Sequence, residues 1–332
     1  MNILVMTTRR SEQAFNQILE ILKESSIKYS VAETLSASDA EWGKFVITLG
    51  EDSDVLRTLH QAVDLGIPVL GVNETDGESF LTEVGLSQLR PAIKQITKGK
   101  FTIEEAKTLS VKTDGDTVPP AVNEAAIFSH RSATLLEYTL KVNGEEIWAD
   151  SSDGVIISTP TGSTAYAMSA GGPMILTQAN VLAIVSVNSL DNTRRPLIVP
   201  DDAVIRIENL ASRMHCEVII DGLYRSKINE TVEIHQSPNP AKLIRLPKPS
   251  PTAERMAKKV LVSRDLLSMP PSAKLMLKTL EYEGPLSRKE ILEKTMLPDR
   301  TASLALSILL ERGLVKRKSS LKDTREKVYY TA

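Results

Sequence analysis

Residues 153–173 read DGVIISTPTGSTAYAMSAGGP, which places a strand, a hydroxyl-rich turn and a Gly-Gly corner in one short stretch. Val155, Ile156 and Ile157 form an apolar run suited to a buried strand. The following Thr159-Pro160-Thr161-Gly162-Ser163-Thr164 offers four hydroxyls and tightly turned backbone amides. Such groups bind ribose, phosphate or base edges when they converge on one turn. The plainer reading of the same letters is a Ser/Thr-rich loop capping a helix that begins near Ala165.

Working outward, 332 residues with 42% hydrophobic content exceed one ordinary domain and can bury substantial cores. No apolar run approaches the roughly 20 residues needed to span a bilayer. Residues 1–6, MNILVM, read as a first strand and not as a secretion leader, so a soluble, cytoplasmic protein without a membrane partner is expected. Cys216 is the single cysteine, which rules out an intramolecular disulfide and suits a buried thiol. His60, His130, His215 and His235 are widely spaced along the chain, and no metal site is expected from them.

Strands at 3–6, 45–49 and 69–72 alternate with helices at 14–23 and 55–65, the pattern of an open α/β sheet. From about residue 105 the chain becomes strand-rich, with runs at 133–142, 204–208, 217–221 and 231–235 flanked by turn residues. The expected organisation is an α/β lobe over 1–104, an all-β lobe over 105–241, a return segment and Pro-rich linker over 242–267, and a small α+β module over 268–332. The proline cluster of LPKPSP at 246–251 marks the last boundary, because clustered prolines favour extended linkers.

The order of residues in the opening stretch resembles the TPTGSTAY motif of the NAD kinases, and the likeness extends over roughly the first 245 residues. Asn123-Glu124, Asp153-Gly154, Arg195-Pro196-Leu197-Ile198-Val199 and Ile219-Ile220-Asp221-Gly222 stand where that family has its Asn-Glu, Asp-Gly, RPIV and DG segments. The resemblance implies the two-lobe fold and an NAD or NADP ligand. It also implies contacts to that ligand from Gly50, Asn123, Glu124, Asp153, Thr161, Ser163, Thr164, Ala165, Tyr166 and Ser169.

The family's GGDGT loop aligns with Gly50-Glu51-Asp52-Ser53-Asp54, where only Gly50 and Asp52 remain. Asp52 occupies the position that the resemblance makes a general base on the ribose hydroxyl. Glycines in such a loop let backbone N–H groups approach phosphate, and the two added carboxylates oppose it. Like unit charges at about 4 Å cost on the order of 1 to 4 kcal/mol at solvent-like to surface-like dielectric, which bound Mg²⁺ would partly offset. The plainer reading makes Glu51, Asp52 and Asp54 an acidic helix start, favoured by the helix dipole. The second glycine-bearing loop keeps Gly71-Val72-Asn73 but gains Glu74, Asp76 and Glu78, and Asn188 replaces a histidine that the family often carries.

Residues 268–332 hold 13 Lys/Arg against 8 Asp/Glu, so a basic module is concealed in a chain of net charge −2. Helices are expected at 271–282, from a capping box at Ser287-Arg288-Lys289-Glu290, and at 300–312 before Gly313, followed by strands at 314–318 and 327–331. This order resembles the winged helix-turn-helix of MarR-type regulators. It implies double-stranded DNA as partner, with Arg300, Thr301, Ser303 and Ser307 toward bases and Lys316, Arg317, Lys318, Lys322 and Arg325 toward phosphates. Both resemblances imply a homodimer or homotetramer.

Two readings of function stand. The first is a transcriptional regulator that senses NAD(H) or NADP(H) through a retained pocket, its donor loop having lost ATP use. The second is an active NAD kinase, using ATP or polyphosphate with Mg²⁺, that carries an appended DNA-binding domain. Loss of GGDGT favours the first.

Overall fold

The computed structural model describes residues 1–332 apart from 7–10, 75–78, 115, 132–133, 248–268, 296, 320–326 and 332. Its first lobe is built on a seven-stranded sheet. Strands Lys28–Ala32, Asn2–Met6, Phe45–Leu49, Val69–Asn73, Ala241–Arg245 and Thr102–Ala106 lie side by side in that order, with Thr82–Gly85 pairing with Val69–Asn73. All pairings are parallel except the last, between Ala241–Arg245 and Thr102–Ala106.

Alternation along these strands serves two cores at once. Ile3, Val5, Phe45 and Ile47 pack under the helices Glu12–Glu24 and Leu89–Thr97, through Ile18, Leu22, Leu89 and Ile93. Leu4, Met6 and Val46 face the opposite side, against Val55 and Leu59 of the helix Asp52–Ala62. A sheet covered on both faces leaves the carboxyl ends of its strands as the place where loops meet a ligand.

The second lobe is a sandwich of two six-stranded antiparallel sheets. One runs Glu145–Ser152, Leu136–Val142, Ile205–Ser212, Val232–Gln236, Leu109–Thr113, Asp116–Ala121, and the other runs Leu197–Pro200, Val181–Val187, Gly154–Ser158, Glu124–Ser129, Cys216–Ile220, Tyr224–Ile228. Leu136, Ile205 and Val111 of the first sheet share one core with Ile127, Val155 and Val218 of the second. The lobe is inserted between Thr102–Ala106 and Ala241–Arg245. The passage into it falls after Ala106 and not at 104, because the whole strand is hydrogen-bonded into the first sheet.

The last part folds as helices Pro271–Glu283, Arg288–Thr295 and Asp299–Glu311 over a three-stranded sheet in the order Leu286–Ser287, Lys327–Thr331, Val315–Ser319. The capping box forms: Ser287 N–H donates to Glu290 Oε2 at 2.7 Å and Glu290 N–H to Ser287 Oγ at 3.4 Å. Gly313, at φ 69°, allows the left-handed turn after the third helix. Met168 of the β-lobe is buried in the same apolar cluster as Met269, Ala273 and Met276 of this module. Among the described residues, no helix is long and apolar enough to cross a membrane.

Candidate active site

The turn after the buried strand Gly154–Ser158 is fixed by its own hydroxyls. Thr159 Oγ1 donates to the Val122 carbonyl at 2.7 Å and accepts from Gly162 N–H at 3.1 Å. Ser163 Oγ donates to the Pro160 carbonyl at 2.7 Å and accepts from Ile175 N–H at 3.0 Å. Both residues are fully buried, and the bonds of the Ser163 hydroxyl hold the turn to Pro160 and Ile175. Gly162 is required by close approach: a Cβ there would stand 2.1 Å from the Asn123 carbonyl oxygen. The helix expected from Ala165 is only Tyr166–Ser169, preceded by a 3-10 turn, Gly162–Thr164, and stopped by Gly171 at φ 90°.

Asn123 and Glu124 are held from the other side by Asp221, which the sequence reading did not single out as a site residue. Its carboxylate accepts the backbone N–H groups of Val122, Asn123 and Glu124 at 2.7, 2.8 and 2.9 Å, and lies 2.8 Å from His60 Nε2. Its side chain is wholly buried. His60 sits on the helix that begins at Asp52, so one helix ties the Asn123-Glu124 corner to the other loop of the site.

Around this frame lie the remaining expected ligand residues. Tyr166 stacks on Phe128 with ring centroids 5.8 Å apart, and burial, together with the charges of Asp153 and Glu124, pushes its hydroxyl pKa well above the usual range. Asp153 accepts from Asn188 Nδ2 at 2.8 Å. Thr164 Oγ1 donates to the Thr161 carbonyl at 3.3 Å, and Ala165 forms the junction into the short helix. Ser169 Oγ is enclosed and has no hydrogen-bond partner among the described residues. A cavity of about 320 Å³ nearby in sequence is lined in part by Ala170, Gly171, Arg194 and Arg195.

The acidic loop is more tightly organised than its charge suggests. Gly50, at φ 142°, donates its N–H to the Val72 carbonyl at 2.8 Å, a backbone conformation open to glycine. Asp54 Oδ2 accepts Glu51 N–H at 3.0 Å, so this carboxylate closes the helix start. Asp52 Oδ1 accepts Leu81 N–H at 2.9 Å, Phe80 N–H at 3.2 Å and the Ser79 hydroxyl, while Oδ2 accepts Phe80 N–H at 3.1 Å. Arg245 braces the opposing loop by donating to the Phe80 and Leu81 carbonyls, each at 3.4 Å, and by pairing with Glu83 and Glu104. Asp52 Oδ2 therefore retains a lone pair for a hydroxyl donor. Asp76 and Glu78 lie outside the described residues.

In the last module, Arg300, Ser303 and Ser307 are exposed and Thr301 is half-buried. Arg288 donates to Asp299 and, at 2.6 Å, to Ser303 Oγ, and Ser307 Oγ donates to Glu311 at 3.2 Å, so these hydroxyls are already engaged. Lys316, Arg317 and Lys318 are exposed on one strand, with Lys318 Nζ 5.3 Å from the Tyr330 ring centroid. Lys322 and Arg325 lie outside the described residues. The histidines were expected to stay apart; instead His130 and His215 stack at 4.3 Å, because antiparallel pairing sets Ser129 opposite Cys216.

The chain thus joins an α/β lobe to a β-sandwich, with the loops at 50–54 and 159–166 each following a buried strand. Residues 5–101 match the ATP-NAD kinase N-terminal domain and residues 122–246 the ATP-NAD kinase C-terminal domain. An NAD kinase of Methanopyrus kandleri is 34% identical over 229 residues, 68% of this chain and 82% of that protein. One of Porphyromonas gingivalis is 34% identical over 219 residues, 65% and 75% of the two chains. In fold, the chain is similar to an NAD kinase from Archaeoglobus fulgidus crystallised with ATP, at a TM-score of 0.68 and 21% identity over 78% of this chain and 99% of that one. It is also similar to yeast NADH kinase with NADH, at a TM-score of 0.65 and 16% identity over 78% and 86%. The chain belongs to the ATP-NAD kinase family. These relatives overturn the reading as a transcriptional regulator with a defunct donor loop and favour a kinase.

Proposed function

We propose that this chain is an NAD kinase that transfers the γ-phosphoryl group of ATP to the 2'-hydroxyl of NAD. The observation that carries the reading is the Asp52 carboxylate, held by the amides of Phe80 and Leu81 with Oδ2 still able to accept a proton. In the step, Asp52 takes the proton of the 2'-hydroxyl, the oxygen bonds to the γ-phosphorus, and the bond to the β-phosphate oxygen breaks to release ADP. Most of the acceleration in such a transfer comes from positioning and charge stabilisation, which the Asp221-braced corner and the Ser169 hydroxyl serve on the NAD side. Glu51 and Asp54 supply hard oxygen donors of the kind Mg²⁺ accepts, and the ion would neutralise polyphosphate charge there. The test is NADP formation by the purified protein with ATP and Mg²⁺; absence of turnover in the presence of bound NAD would sink the proposal.

A second reading concerns the last module and rests on the exposed row Lys316, Arg317 and Lys318. The helical order and adjoining hairpin support a winged helix that holds double-stranded DNA by its phosphates, in a protein that assembles as a homo-oligomer. Affinity that falls steeply with salt supports it, and a slope unchanged in Arg317→Ala would count against it.

A further inference from the structure

We propose that His130, His215 and Glu217 form a binding site for a divalent transition metal on the outer face of the β-lobe. The site arises from register alone. Ser129 pairs with Cys216 and Phe128 with Glu217 on antiparallel strands, and His130 N–H continues the ladder to the His215 carbonyl at 2.9 Å. Side chains alternate along a strand, so His215 and Glu217 share one face with His130 directly across, while Cys216 turns inward and is buried.

The three ligand atoms lie within 4.8 Å of one another. Glu217 Oε1 is 2.8 Å from His130 Nδ1 and 3.1 Å from His215 Nε2. A tetrahedral ion with bonds of about 2.0 to 2.1 Å has ligand–ligand edges of roughly 3.3 to 3.4 Å, so the carboxylate–imidazole gaps need to open by only a few tenths of an ångström. The imidazoles are 51% and 37% exposed, which leaves them free to turn and keeps an entry path open. Arg225 Nη1 lies 3.5 Å from the other oxygen, Oε2, and so orients the carboxylate for one-oxygen ligation through Oε1.

Two imidazoles and one carboxylate suit zinc, nickel, cobalt or copper over magnesium or calcium, and three protein ligands leave a position for water. The ligands stand at the opposite end of the Glu124–Ser129 strand from Glu124, roughly 20 Å away at about 3.3 Å per residue. The partner strand ends at Ile220, next to Asp221. A bound ion would therefore clamp the far ends of the two strands whose near ends carry the Asn123-Glu124 corner and its Asp221 brace.

The experiment is calorimetric titration of the chelator-treated full-length protein with Zn²⁺, paired with the visible absorption of the Co²⁺ form. One equivalent bound, with a Co²⁺ spectrum of low-symmetry coordination and affinity lost by about tenfold or more in both His130→Ala and Glu217→Gln, is the expected result. His235→Ala, on the other sheet, should bind as the parent does. Binding unchanged in His130→Ala and Glu217→Gln, or no stoichiometric binding by the parent, overturns the site. A Zn²⁺-induced rise in melting temperature in the parent that is absent in folded Glu217→Gln gives an independent reading that does not depend on NAD phosphorylation.

Discussion

The turn at residues 159–166 and the loop at residues 50–54 both follow fully buried strands, yet they are built from opposite chemistry. The first is made of small residues and hydroxyls bonded to backbone, with Gly162 pressed on Asn123. The second replaces glycines with carboxylates. Read as bare charge, Glu51 and Asp54 repel polyphosphate, which made a defunct donor loop the favoured expectation. The fold changes that balance: Asp54 accepts an amide at the helix start and Asp52 is held by the loop opposite. A carboxylate that accepts backbone N–H groups is partly compensated before any ligand arrives. Counting charges on a loop overstates their repulsion when the same charges cap the loop.

The sharpest way to break this comparison is Asp52→Asn, which should lower NADP formation by about 10²- to 10⁴-fold while NAD binding, read by calorimetry, persists. Turnover equal to the parent would remove Asp52 from the chemistry. Next is Asp221→Ala, which leaves three backbone donors and His60 without their acceptor. Loss of about 3 kcal/mol or more of stability is expected, visible as a lower denaturant midpoint, and an unshifted midpoint would show that the corner holds itself. Gly162→Ala forces a Cβ against the Asn123 backbone and should cost about 1 to 3 kcal/mol, with weaker NAD binding and little effect on ATP. The smallest effect separates metal ligation from capping. Asp54→Asn keeps an acceptor for Glu51 N–H but removes a carboxylate donor to Mg²⁺, so the KM for ATP should rise about fivefold, corresponding to about 1 kcal/mol. An unchanged KM would mean that Asp54 serves only as the cap.

Much of the architecture was readable from local pattern. The strands Phe45–Leu49 and Val69–Asn73, the helix Asp52–Ala62, the Ser287–Glu290 capping box and the stop at Gly313 all lie within a residue or a few of where periodicity and turn chemistry put them. The strand expected from 133 begins at Leu136, and the helix expected after Ala165 is cut to four residues by the Gly171-Gly172 corner. The ligand contacts expected from this chain rest on the residue order of the TPTGSTAY stretch and not on any period. That order did not reveal that the Ser163 hydroxyl bonds to the backbone of Pro160 and Ile175.

Sequence by itself determined where most strands and helices form, because those depend on side-chain period and on conformations near one residue. Only the tertiary structure decided which distant groups meet. His60 reaches Asp221 across 161 positions, and His130 meets Glu217 across 87. Such pairs are set by sheet register and by the packing of one lobe on the other, and a contact between residues so far apart leaves no period in the chain to be read.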